Sequence, residues 1–209
     1  MALSPSTTRA AHRSRKARFL LLVYRMPAKP TAGRVAVWRS LKKAGAAYVQ
    51  DSVCVLPDTK RLRAELAPTL ERIDAAGGTF HLLPLRTLPE AEEQKLVDLF
   101  RAQAAKHYEE IVENCDVNFA KEIEFETFRQ NFTYEEAEEI RMEFEKIGTW
   151  FDRVIDRDWF GASNRDDARH AIDRCEALLE SFEARVFALH TSEAARDESG
   201  LTLVRKASA

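Results

Sequence analysis

The chain has 209 residues, of which 45% are hydrophobic and 32% charged, with a net charge of −2 at pH 7. Its longest strictly apolar run, Phe19 to Tyr24, falls far short of the ~20 residues a transmembrane helix needs, so no helical membrane span is expected. Three cysteines without a C-x-x-C pair argue against a disulfide framework and against a cysteine-rich zinc site. The near-neutral total hides a segregation, because residues 1–86 carry 16 Lys+Arg against 5 Asp+Glu and residues 87–209 carry 16 against 29. A basic half of this kind attracts phosphate backbones, or is neutralised by the acidic half or a second subunit.

In chain order, residues 1–17 hold Arg9, Arg13, Arg15 and Lys16 without an apolar centre. They are no secretory signal and read as a disordered basic arm of a cytoplasmic protein. Phe19 to Tyr24 is continuously apolar and reads as a central strand, ended by Pro27 and Pro30. Thr31 to Ala44 changes to helical period, with Val37, Leu41 and Ala44 on one face, Arg39, Lys42 and Lys43 on the other, and Gly45 as the stop. Ala47–Gln50 and Val53–Leu56 are short strands reversing at Asp51 and Ser52. A helix then runs from Pro57 and Asp58 to Ala76, Gly77 and Gly78 break it, and Thr79–Leu85 is the last strand. Residues 18–86 therefore predict a βαββαβ domain of the ferredoxin-like split arrangement, with two helices on one face of an antiparallel sheet. The other face is left for a second subunit, the acidic half or a ligand.

Residues 87–190 predict an all-helical domain, which makes the whole chain α+β. Thr87, Pro89 and Glu90 form a helix start, followed by Leu96, Phe100, Gln103, His107 and Ile111 at helical spacing to about Asn114. Thr133 with Glu136 opens the next helix, whose apolar positions Ala137, Ile140, Phe144, Ile147, Phe151 and Val154 alternate in steps of three and four. After Gly161 the same alternation returns in Ala168, Ile172, Cys175, Leu179, Phe182, Val186 and Leu189. Two such runs joined by a short turn predict an antiparallel helical hairpin, and residues 191–209 read as a disordered tail.

Four segments carry a family resemblance: FLLLVYRMP from Phe19, RVAVWRSLKKAGAAYVQDSVCVLP from Arg34, NFTYEEAEEI from Asn131 and the DRDWFGA turn from Asp156. Over about Arg18 to Ala188 the chain resembles the N-terminal domain of the chromate-resistance ChrB proteins. Its first block is also similar to the dimerisation domain of PaaX-type repressors and, more remotely, to small CRISPR-associated nuclease-like proteins. The ChrB resemblance implies transcriptional control of a chromate-responsive operon, with DNA as partner and chromate or another oxyanion as effector, while the sheet face left uncovered by the two helices makes a homodimer the expected assembly. ChrB proteins of the longer type continue into a C-terminal domain, and the stretch after Ala188 is expected to be too short for one.

Where the nuclease-like relatives place a metal-binding aspartate at the end of the first strand, this chain reads Tyr24, Arg25, Met26. Arg25 suits an oxyanion or a phosphate, because its planar fork stays charged and donates several hydrogen bonds; a salt bridge to Asp51 or to the acidic half is the alternative. Arg34, Arg39, Lys42 and Lys43 are candidates for a phosphate-binding face, against an ordinary solvated helix side. Trp38 reads as a core anchor and Cys54 as a small buried residue with nothing nearby to activate its thiol. His107, Glu110, Asp152 and Asp156 read as surface charge, since no Glu-x-x-His pair occurs twice, and DRDWFGA as a turn with its aromatics packed beneath. No nucleophile motif, glycine-rich phosphate loop or repeated metal motif is present, so neither an enzyme nor a cofactor is expected. The alternatives to a regulator are a protein-interaction module using the hairpin and, more weakly, a metal-dependent nuclease.

Overall fold

The computed structural model describes the backbone of residues 19–207 and the side chains of residues 19–192. The basic arm expected over residues 1–17 lies outside the described residues. The chain divides into two compact units, Met1–Leu96 and Val97–Ala209.

The first unit runs β1 (Phe19–Arg25), α1 (Thr31–Lys43), β2 (Ala47–Gln50), β3 (Val53–Pro57), α2 (Lys60–Ala75) and β4 (Thr79–Leu85). The strands form one antiparallel sheet in the order β2-β3-β1-β4, so the most apolar strand is central, as a continuous hydrophobic run requires. This is the strand order and direction of the split βαβ arrangement expected from the sequence. Register puts Leu20, Leu22, Cys54 and Leu56 on one face, and all four are fully buried with Val37 and Leu41 of α1 and Leu62, Leu66 and Ile73 of α2. Burying each of these large side chains contributes about 1.5–3 kcal/mol. On the opposite face Phe19, Ala47 and Val55 are buried while Val49 and Leu83 are exposed.

Both helices stop as glycine dictates. After α1, Gly45 takes a left-handed φ of 79°, its N–H donates to the Lys42 carbonyl, and the Ala46 N–H reaches the Leu41 carbonyl. After α2 the same pair of bonds joins Gly77 to Asp74 and Gly78 to Ile73. A Cβ on Gly78 would lie 2.5 Å from the Arg25 carbonyl oxygen, so only glycine lets α2 turn this closely past the end of β1. Asp51 and Ser52 make the β2–β3 reversal, with Ser52 at φ 62° and its carbonyl accepting the Tyr24 N–H at 2.9 Å.

The second unit carries α3 (Glu90–Glu113, which begins in the first unit), a π-helical segment (Asn114–Phe119), α4 (Ala120–Arg129), α5 (Tyr134–Ile155) and α6 (Arg165–Ala207). Thr133 caps α5 by accepting the Glu136 N–H at 3.1 Å, which is the start the sequence predicts. The antiparallel hairpin of α5 and α6 is visible in its cross-links: Tyr134 stacks on His190, Arg141 pairs with Glu183, and Arg169 lies over Phe151. Ala137, Ile140, Ile147, Phe151 and Val154 of α5 are buried against Ala168, Cys175, Leu179, Phe182 and Val186 of α6.

Two expectations need correction, the buried stripe of α3 and the last residue of the α6 repeat. The buried stripe of α3 is Phe100, Ala104, Tyr108 and Ile111, not Gln103 and His107, because Tyr108 and Ala104 continue the apolar row toward Cys115. Helix α3 ends at Glu113, as expected, and the chain then stays helical through the π-helical segment into α4. Leu189, the last residue of the α6 repeat, is exposed. The helical backbone of α6 runs on past residue 191 to Ala207 through a stretch without proline.

Candidate anion-binding cleft

Three elements of the first unit converge on a cleft of about 630 Å³. The end of β1 supplies Tyr24, Arg25 and Met26; α1 supplies Thr31, Arg34, Val35, Trp38 and Lys42; β2 and the following turn supply Tyr48, Asp51 and Ser52. The α1 residues share one face because Arg34, Trp38 and Lys42 are spaced four apart, close to a helical turn. Val37 and Leu41, on the adjacent row, are the buried residues of this helix.

Of the five cations singled out in the sequence, Arg25, Arg34 and Lys42 line this cleft, whereas Arg39 and Lys43 do not. Grouping Arg39, Lys42 and Lys43 on one side of the helix was too coarse. One turn from Lys42 leads to Trp38, and one turn from Lys43 leads to Arg39, a separate row. Among the described residues neither Arg25 nor Arg34 makes an ion pair within 4.0 Å, so the salt bridge from Arg25 to Asp51 does not form. Asp51 is the one carboxylate lining the cleft.

Trp38 corrects the sequence reading most clearly. It is 48% exposed and lines the cleft instead of anchoring the core. Its place in the Arg34-Trp38-Lys42 row was the available signal.

Behind these groups, the Tyr24 and Tyr48 hydroxyls share a hydrogen bond of 3.1 Å, and Lys42 Nζ lies 5.2 Å above the Tyr48 ring. Burial raises the pKa of both phenols; the hydrogen bond between them partly offsets this for Tyr24 and adds to it for Tyr48. Both tyrosines therefore stay neutral at physiological pH. Cys54 is fully buried, and burial pushes its thiol up to about 12 with Lys42 only partly opposing, so it is the inert core residue expected.

The remaining candidates lie in the second unit. His107 Nδ1 is 3.3 Å from Glu110 Oε2, and neither residue groups with Asp152 or Asp156 as a set of metal-ligating atoms among the described residues. A different trio, Glu122, Glu126 and Glu136, brings carboxylate oxygens within 4.8 Å of one another beside a cavity of about 320 Å³. The Asn131 amide holds two of them together, donating to Glu126 at 2.7 Å and to Glu136 at 2.9 Å. Burial, then the neighbouring Glu126, Glu139 and Glu122, raise the Glu136 pKa.

The DRDWFGA turn is a structural hub. The buried Asp158 carboxylate accepts from Tyr108 Oη at 3.2 Å, the Ala162 N–H at 3.0 Å and Arg165 at 2.6 Å, while the Phe160 ring packs 5.3 Å from Phe100. Across the same core Cys175 Sγ lies 3.9 Å from the Cys115 carbonyl oxygen, bringing together two cysteines far apart in sequence.

Comparison with known proteins adds the family. The model described as "Protein ChrB, N-terminal" matches residues 34–193. This chain belongs to the ChrB N-terminal family. The matched region takes in Arg34, Trp38, Lys42 and Asp51 of the cleft and the α5–α6 hairpin, with Arg25 just ahead of it. The expectation of a ChrB-like chromate-resistance protein therefore stands at family level. No curated protein and no solved structure matches the chain. Among the described residues no helix is long and apolar enough to cross a membrane.

Proposed function

We propose that this ChrB-family chain is a non-catalytic cytoplasmic regulator that acts in transcriptional control of a chromate-responsive operon, and that its basic cleft receives an oxyanion or a DNA phosphate. The observation that carries the reading is the convergence of Arg25, Arg34 and Lys42 on one cleft lined by a single carboxylate, Asp51. Two guanidinium forks and an ammonium present many donors to a tetrahedral anion, and such contacts gain strength from charge. The neutral Tyr24–Tyr48 pair adds hydroxyl groups that donate without adding negative charge. Arg39 and Lys43, on the neighbouring row, extend the positive field toward a duplex backbone.

Fluorescence anisotropy of the full chain with its own upstream duplex and with random duplex, at two salt concentrations and with or without chromate, tests this. Expected are tighter binding to the upstream duplex, affinity that falls steeply with salt, and release by chromate. No binding to either duplex at low salt, together with no chromate binding by calorimetry, would sink the proposal. A second reading, a protein-interaction module, is favoured by the exposed Phe125, Phe128 and Phe187 of the helical unit, Phe128 being 84% exposed.

A further inference from the structure

The anion reading leaves most of the cleft unexplained. A tetrahedral oxyanion is little larger than a few water molecules, whereas a volume of about 630 Å³ lies within the ~300–1,000 Å³ typical of sites for organic ligands. Its lining is not all charge. Trp38 presents an indole that is 48% exposed, on the same helix row as Arg34 and Lys42, one turn from each. Val35 and Met26 add apolar wall, and Asp51 is an acceptor among donors.

The half-exposed indole stands in the same cleft as Arg25 and Arg34, which make no ion pair among the described residues. Val37 and Leu41 already fill the core side of α1, so burial does not account for the indole. A large flat ring flanked by cations suits a ligand that is itself part flat ring and part anion. Bases stack on aromatic side chains whatever their sequence, because each has a π-face. The phosphate of the same molecule would reach the guanidinium groups, and Asp51 would accept from a ribose hydroxyl or an exocyclic amine.

We propose that the cleft is a site for a nucleoside 5′-phosphate, its base stacked on Trp38 and its phosphate held by Arg25, Arg34 and Lys42. This rests on the anion reading above and narrows it. The same chemistry has two sources, a free mononucleotide or the phosphorylated end of a nucleic-acid strand.

Calorimetry of the full chain with adenosine 5′-monophosphate, adenosine, inorganic phosphate and chromate tests the proposal. Adenosine 5′-monophosphate is expected to bind at least about tenfold more tightly than phosphate or adenosine alone. Trp38→Ala should weaken the nucleotide by about 5- to 150-fold and leave phosphate unchanged, while Trp38→Phe restores much of the loss. Arg34→Ala should weaken both. A short single strand with and without a 5′-phosphate separates the sources: a phosphorylated strand that outbinds the free nucleotide assigns the strand end, and one that does not assigns the mononucleotide. Equal affinities for nucleotide and phosphate, or a nucleotide affinity indifferent to Trp38→Ala, would overturn the proposal and leave the oxyanion reading standing. Failure of every anion to bind would remove both.

Discussion

The two units of this chain use charge in opposite ways. In the helical unit several cations are taken up by structure: Arg165 meets the buried Asp158, Arg141 pairs with Glu183, Arg174 with Asp116 and Arg129 with the buried Glu126. In the sheet unit Arg63 and Arg61 pair locally with Asp58 and Glu65 on and before α2, while Arg25 and Arg34 stand over the cleft without an ion pair among the described residues. The acid-rich half can satisfy its cations internally, whereas a half with five carboxylates cannot. A surplus of unpaired positive charge raises self-repulsion and the attraction for anions together. The difference separates residues that hold the fold from residues left available to a ligand.

The largest expected effect comes from the helical core. Phe182 is buried against Phe132, with ring centroids 5.3 Å apart, and Phe182→Ala should cost about 3–5 kcal/mol in thermal or urea denaturation. A loss below about 1 kcal/mol would mean that the heptad seam does not carry the unit. Asp158→Ala comes next. It strands the buried Tyr108 hydroxyl and the Ala162 N–H at about 1–3 kcal/mol each, moderated because the paired Arg165 is partly exposed. A denaturation midpoint that does not move would show the turn to be incidental.

The contrast between units is sharpest in a paired experiment. Arg25→Ala with Arg34→Ala should change stability by less than about 0.5 kcal/mol, yet lower the salt dependence of DNA binding by about two phosphate contacts. Arg141→Ala should do the reverse, costing up to about 1 kcal/mol with no change in binding. If both variants lose stability alike, the distinction between structural and available cations fails.

The smallest effect is titratable. Because the folded chain raises the Glu136 pKa above its ordinary value of 4.5, it holds that proton more tightly than the unfolded chain does. The contribution of this group to stability is therefore full below pH 4.5 and is lost as pH rises through the folded value. Glu136→Gln should be relatively more stable near neutrality than in acid, read as a difference in melting temperature that grows with pH. A difference independent of pH would locate the strain elsewhere.

Much of this architecture was legible along the chain. The β1 run, the Gly45 and Gly77 stops, the Thr133 cap and the α5–α6 seam are set by residues within a turn or two of each other, where propensity and period act directly. Helix α4 was hidden because its pattern is inverted: Glu126 is 3% exposed, sharing the inner side with Ile123, while Phe125 and Phe128 face outward. An apolar-period reading sees no stripe there, and the reason, an Asn131 amide and Arg129 partnering the buried carboxylate, exists only in three dimensions.

The cleft divides in the same way. Arg25, Arg34 and Lys42 could be named from their residue types and positions, but not separated from Arg39 and Lys43, and Trp38 was assigned to the wrong side of its helix. By itself the sequence determined the order of elements, the charge split and the hairpin, since these follow from neighbours in the chain. Tertiary structure alone decided which cations meet. The β1–α1 crossover and the β2–β3 turn carry a strand end, one row of a helix and a reversal to the same place, and that convergence depends on how α1 is rotated when Val37 and Leu41 are buried.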